Sequence, residues 1–282
     1  HNTMSQSPSS SKPSANPLRW IMGHVNDLVN SGLRPLSALF EYIGGSVILL
    51  VKSFSHVPVI LSQTSRIIEQ CFFMGNGTVP IVTVLSFFIG AVLALQTGFV
   101  LNQLGVLNFI GSIVGLSLCR ELAPVMVAIL LAGRVGSATT AELASMTVYS
   151  EVDALKTMNI PPEKILVLPR LTAVVLMTPL LTALSIVSGW LGGMIVSKMV
   201  AFLQLSPLLY WRNLKDFVLV GDFVDGLIKA EVFCFAVILI ACYQGLSTRG
   251  GPREIGTSVT KSVVYSLVFI LFSDYFITRM QM

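Results

Sequence analysis

Between Glu69 and Arg120 the chain carries no charged residue. Such a stretch cannot cover a water-facing surface. At 1.5 Å per helical residue it is long enough to cross the roughly 30 Å core of a bilayer twice. Composition extends the constraint to all 282 residues: 54% are hydrophobic and 11% charged, against roughly 25% charged in a soluble domain. Soluble enzymes, nucleic-acid binders and disordered proteins fit this balance poorly. The expected class is an all-α polytopic membrane protein.

Five apolar runs read as spans. Residues 79–104 and 107–131 are joined by the uncharged link Asn102-Gln103-Leu104-Gly105, which predicts a helical hairpin; residues 165–196, 227–246 and 259–278 follow. The third run would be about 50 Å long as a helix and must tilt, break or project from the membrane. Pro169, Pro179 and Ser188-Gly189 are its candidate bends.

Residues 1–16 are Ser/Pro-rich and lack an apolar core, which argues against a signal peptide and predicts a disordered tail. The three residues ahead of Met4 read as an expression scar. Residues 17–70 predict an interfacial helical segment. Leu18, Ile21, Met22, Val25, Leu28 and Val29 share one face, and Arg19, His24, Asp27 and Arg34 lie opposite. The run 42–61 approaches spanning length but is interrupted by Gly44-Gly45, Lys52, His56 and Pro58. It reads as a continuation of the interfacial element, with a sixth span as the alternative.

Basic residues orient this arrangement. With the N-terminus cytoplasmic, twelve Lys/Arg fall on inside segments, among them Arg66, Arg134, Lys156, Lys164, Arg249 and Arg253. Four fall outside: Lys198, Arg212, Lys215 and Arg279. Arg120 and Lys229 lie within spans.

Catalytic motifs are missing, and no metal site is expected. Cys71, Cys119, Cys234 and Cys242 have no ligand-like spacing and read as small buried hydrophobes. The segment Gly256 to Ser262 only loosely resembles a phosphate loop: it lacks the glycine before Lys261 and follows no strand. Energy from ATP must therefore come from a partner. Three other features stand out. Arg120-Glu121 puts two charges inside an apolar hairpin, at a cost of a few kcal/mol each wherever they meet lipid. Adjacent helical residues point about 100° apart, so each charge should meet another helix, a second subunit or a polar cavity. The pair is either a packing device or the lining of a substrate cavity, and Pro124 nearby suits an irregular helix. Gly111-x-x-x-Gly115 and Gly189-x-x-x-Gly193 allow close helix packing, within one subunit or across a dimer seam. The polar stretch 133–164 predicts a helix ended by Pro161-Pro162, either a solvated connector or an element that docks into a partner.

Several blocks together resemble the MlaE/YrbE permease family: LAGRVGSATTAELASM (131–146), SEVDALKTMNIPPEKILVLPR (150–170), RELAP (120–124), YQGLSTRGGPREIGTSVTKSVVYS (243–266) and SDYFIT (273–278). The resemblance covers roughly residues 78 to 280. Two departures are local. Ser150-Glu151-Val152 shifts a carboxylate by one position, and Arg253-Glu254 is more charged than the family's usual small residues.

The resemblance implies the membrane subunit of an ABC transporter for phospholipid or a related lipid. Such a subunit works as a homodimer with two cytoplasmic ATPase subunits, which bind ATP and Mg, and with an outer ring of MCE-domain proteins. Lipid would then pass between a bacterial inner membrane and the outer membrane, or at a plastid inner envelope. By the same resemblance, residues 138–158 form the coupling helix, with Glu142, Met146, Glu151 and Asp153 addressing the ATPase. Leu93, Gln96, Leu101 and Leu104 line a lipid pocket with Arg120 and Glu121. The alternative from another class is an ion-coupled secondary transporter of an amphipathic solute, for which Arg120, Glu121 and Asp274 are the available groups.

Overall fold

The computed structural model describes residues 44–53, 63–200, 203 and 205–281. The expected tail 1–16 and most of the interfacial segment 17–70 lie outside these residues. The chain divides into two compact units, His1–Val47 and Ile48–Met282, and only residues 44–47 of the first are described. Every described element is helical. They are α1 (Gly44–Ser53), α2 (Thr64–Leu104), α3 (Leu107–Val148), α4 (Glu151–Thr157), α5 (Glu163–Met199), α6 (Pro207–Phe217), α7 (Val220–Leu246) and α8 (Pro252–Gln281).

Four of these helices, α2, α3, α5 and α8, are long and apolar enough to cross a membrane. Their bounds run beyond the apolar runs read from the sequence. The helix that carries the first expected span begins at Thr64, so residues 64–70 are continuous with it. The second does not stop at 131. It continues through the polar stretch to Val148, where Ser137 and Thr140 satisfy their hydroxyls on the backbone or a neighbouring helix. The third extends to Glu163–Met199 and the fifth to Pro252–Gln281. The single coupling helix at 138–158 is two pieces: the end of α3 and the separate α4. They break at Ser150, whose φ of 62° leaves the right-handed helical region. The expected span 227–246 is the C-terminal part of α7 and is not among the four. Its helix carries Asp222, Asp225, Lys229 and Glu231 in its first half and runs beside α3 for most of its length.

The pairings fix the directions. Gly75 meets Met177, Ser86 bonds Ser185 at 2.7 Å and Gly90 meets Gly189, so α2 and α5 run parallel. Gly226 meets Cys119, Gly136 meets Val237 and Thr140 reaches the Ala241 carbonyl at 3.2 Å, so α3 and α7 are also parallel. Ser262 bonds Thr140 at 2.9 Å and Thr278 bonds Glu121 at 3.1 Å, which makes α8 antiparallel to both. The hairpin between α2 and α3 turns at Gly105, whose φ of 73° closes the helix in the left-handed conformation. At that same end α6 lies across the start of α3: Asn213 donates to the Asn108 carbonyl, and Gly111 sits against the backbone of Tyr210. Burial pushes the Tyr210 phenol pKa up.

Three apolar clusters follow among the described residues, the smallest made of Cys119, Ala123 and Ile186 beside the charged turn. One near the hairpin end contains Ala94, Leu101, Ile110, Val114, Tyr210 and Leu214. The larger one, toward the other end, contains Met74, Val82, Val127, Leu131, Leu143, Val174, Phe233, Val237 and Ile270. Between helices already in lipid there is little hydrophobic drive, so close backbone approach carries the association. A Cβ at Gly90 would overlap the Gly189 carbonyl, and one at Gly192 would overlap the Phe87 carbonyl. Gly192→Val should therefore cost on the order of 1–3 kcal/mol by overpacking. It should lower the melting temperature of the detergent-purified protein, whereas Gly256→Val, at a position with open space around it, should leave it nearly unchanged.

Candidate functional site

The site is built on an irregularity in α3. Residues Leu118–Leu122 form a π turn, and Pro124 follows it. Proline has no N–H, so the Arg120 carbonyl loses its ordinary i+4 donor. Lys229 of α7 replaces that donor, with Nζ 3.2 Å from the Arg120 oxygen. The side chain of Lys229 is fully buried. Nζ also donates to Glu121 Oε2 at 2.5 Å and to Thr278 Oγ1 at 2.7 Å. Those three bonds use its three hydrogens. Asp274 Oδ1, 2.7 Å away, is an ion-pair neighbour that receives no hydrogen bond. Thr278 in turn donates to Glu121 Oε1 at 3.1 Å.

Arg120 points the other way. Its Nε and Nη2 donate to Asp222 Oδ1 at 2.7 and 2.5 Å. Asp222 sits in the first turn of α7, where the helix dipole favours a carboxylate, and its Oδ2 accepts the Leu219 backbone N–H at 2.9 Å. The approach of α7 is possible because Gly226 lies against the Cys119 carbonyl, where a Cβ would overlap it. Two cations thus face three carboxylates across α3, α7 and α8. Arg120 lies thirteen positions into α3, about 20 Å from the hairpin turn and hence within a bilayer's hydrocarbon. Yet the side chains of Arg120 and Glu121 are 49% and 39% exposed.

Each member of the pair therefore meets its own partner on another helix. The sequence reading missed Asp222, Lys229 and Thr278 as those partners. A signal was available: Asp222, Gly226 and Lys229 recur at i, i+4 and i+7 on one helical face, as Asp274 and Thr278 do at i, i+4.

The α2 residues assigned to the lipid pocket do not join this network. Leu93 is partly buried against the hairpin-end core, and Leu101 is a member of that core. Gln96 and Leu104 are exposed. Of the expected ATPase-facing residues, Glu151 and Asp153 are exposed on α4 beside Tyr149 and Met158. Met146 packs partly against the larger core. Glu142 is held by Arg170 Nη2 of α5 at 2.7 Å, so its carboxylate already ties two helices of the same chain. Gly111, Gly115, Gly189 and Gly193 all face neighbours within the chain: Tyr210, Leu214, Leu118 and Val114 respectively.

An all-helical membrane protein with a buried ion network and an exposed polar helix at one end has the form of a transport subunit. The comparisons agree. The family described as Permease MlaE matches residues 67–280. A probable ABC transporter permease of Rickettsia typhi is 38% identical over 245 residues, covering 86% of this chain and 90% of its own. One from Synechocystis is 34% identical over 86% of this chain and 92% of its own. Another from the red alga Pyropia yezoensis is 28% identical over 85% and 90%. The chain belongs to the MlaE permease family. It is a multi-pass ABC permease subunit without its own ATPase domain, and it works with ATPase partner subunits.

Removing one partner of a buried ion cluster strands the others, at a cost of about 3–5 kcal/mol. Lys229→Met should accordingly lower the melting temperature sharply. Adding Glu121→Gln and Asp274→Asn should restore much of the loss, because the stranded carboxylates are then neutral. A thermal melt of the four-variant series reads both effects.

Proposed function

We propose that this permease moves phospholipid or a related lipid between a bacterial inner membrane and the outer membrane. It would act as a homodimer on two ATPase subunits, which bind the ATP and Mg, and would deliver to an outer ring of MCE-domain protein. The observation that carries the reading is the half-exposure of Arg120 and Glu121 at hydrocarbon depth. Charges there are tolerated where they border a polar opening rather than lipid tails. The chain also exposes wide apolar faces, such as Val84, Phe88, Val92 and Phe99 on α2. Apolar walls suit acyl chains, and a charged patch suits a headgroup. Leu93, Gln96, Leu101 and Leu104 complete the proposed lipid-binding set on α2.

In this reading α7 is a fifth crossing, since its 27 residues span about 40 Å. Its charges turn inward to the network. Arg66, Arg134, Lys156, Lys164, Arg249 and Arg253 gather at the end where α2 begins and α3 stops, and this end is assigned to the cytoplasm. The ATPase contact then falls on α4 and the end of α3. ATP-driven closure of the partner subunits would press there and narrow the cavity at the charge network. The relatives in a cyanobacterium and a red alga make a plastid envelope the second setting for the same activity.

Purifying the permease with its co-expressed ATPase and identifying bound lipid by mass spectrometry tests the substrate class. Photocrosslinking from position 93 or 104 should capture the same lipid, and a correctly assembled complex empty of lipid would overturn the reading. Charge reversal at Glu151 and Asp153 together should reduce ATPase recovery in a pull-down. Unchanged recovery with unchanged transport would remove α4 from the docking surface.

A further inference from the structure

A second irregularity in α3, the π turn Ala132–Gly136, carries Arg134. Its Nη1 donates to Thr78 Oγ1 of α2 at 2.5 Å, and the guanidinium carbon lies 6.0 Å from the centre of the Phe73 ring. The guanidinium covers Gly77 so closely that a Cβ there would overlap it. Arg134 thus lies along α2, fixed by a hydroxyl, an aromatic ring and a glycine. Among the described residues no carboxylate pairs with it, unlike Arg120 and Arg170. Beside it is a cavity of about 300 Å³ lined by Thr78, Ile81, Ile129, Leu130, Gly133 and Arg134. Apart from the Thr78 hydroxyl, the backbone and the guanidinium, that lining is hydrocarbon.

Depth identifies the surroundings. Arg134 lies 27 positions beyond Leu107 on α3, and Thr78 lies 26 before Leu104 on α2. Both are about 40 Å from the hairpin turn, past a hydrocarbon core of roughly 30 Å and level with the opposite headgroup layer. A fixed cation with free donor positions, at headgroup depth, above an apolar groove that rises into the hydrocarbon, matches one molecule in each of its parts. We propose that Arg134 binds the phosphate of a phospholipid in the leaflet on that side, with the start of an acyl chain against Ile81, Ile129 and Leu130. With the cytoplasmic assignment proposed above this is the inner leaflet, but the site itself does not depend on which lipid is transported or in which direction. A guanidinium meets phosphate through two parallel donors, a geometry an ammonium reproduces only in part.

The test uses the full-length permease with its ATPase partner in lipid nanodiscs, with a photoreactive residue at position 81. Nanodiscs of phosphatidylglycerol should give lipid adducts, and nanodiscs in which a glycosyl diacylglycerol replaces the phospholipid should give far fewer. Loss of a charge-assisted bond in Arg134→Gln should reduce phospholipid capture about tenfold. Arg134→Lys should retain an intermediate level. The lipid swap uses the protein with Arg134 intact, so it remains decisive if Arg134→Gln does not fold. Equal capture of both lipids, or capture unaffected by Arg134→Gln in folded protein, would overturn the proposal. Loss of phospholipid capture on adding inorganic phosphate would overturn it in favour of a free-anion site. Absence of any lipid adduct would show the groove covered by protein and overturn it too. Transport measured in parallel separates these outcomes from a failure of the proposed function, because capture at position 81 requires no turnover.

Discussion

The ammonium of Lys229 is the interaction on which the arrangement of α3, α7 and α8 depends. It has no exposure, and it satisfies one backbone carbonyl and two side chains from two other helices. Within a membrane, apolar surface discriminates poorly between helix neighbours, because lipid tails are as apolar as leucine. A buried charge does discriminate. Only the register that brings Glu121, Thr278 and the freed Arg120 carbonyl together relieves its desolvation, and a slip of one residue would leave it unpaired. The ion cluster therefore acts as a registration pin for three helices, whatever its net contribution to stability.

The cluster also sits at a boundary. Leu118 belongs to the hairpin-end core and Val127 to the larger core; between them lie the π turn with its charged pair and the small apolar cluster of Cys119, Ala123 and Ile186. On one side the chain is closed by glycine contacts between α2 and α5 and by α6 lying across α3. On the other, hydroxyls such as Thr140, Ser262 and Ser258 knit α3, α7 and α8. The polar, irregular turn thus lies among packed apolar clusters rather than inside one of them.

The lengths of the apolar runs made four of the crossings legible, because a bilayer imposes a minimum run whatever the neighbours are. The α2–α3 hairpin was legible from the short uncharged link at 102–105. Helix ends were not. Thr64 and Val148 mark where tertiary partners stop, and hydropathy sees only where apolar composition stops. The partners of the charges on α7 were not legible, because they lie more than a hundred residues away for Asp222–Arg120 and Lys229–Glu121. Spacing along one helix shows that residues share a face but not which helix that face will meet. The same limit applies to Leu101, whose apolar character fits a lipid pocket and an internal core equally well. It applies also to Glu142, whose carboxylate fits a partner's groove and the guanidinium of Arg170 equally well.

Two π turns interrupt α3. Each inserts backbone that does not follow the i→i−4 ladder, and a turn of that kind weakens the helix that carries it. In α3 the first turn carries Arg120 and Glu121 and the second carries Arg134. Regular helix lies between them, and its buried residues Val127, Ala128 and Leu131 are packed into the larger core. Within α3 the irregular backbone is thus confined to the two places at which the helix presents a cation. Confinement of that kind is unexpected if the turns were packing defects, since the tightly packed stretch between them is where a defect would be forced. It is expected if α3 is built to hold cations at two fixed depths while its apolar middle stays rigid.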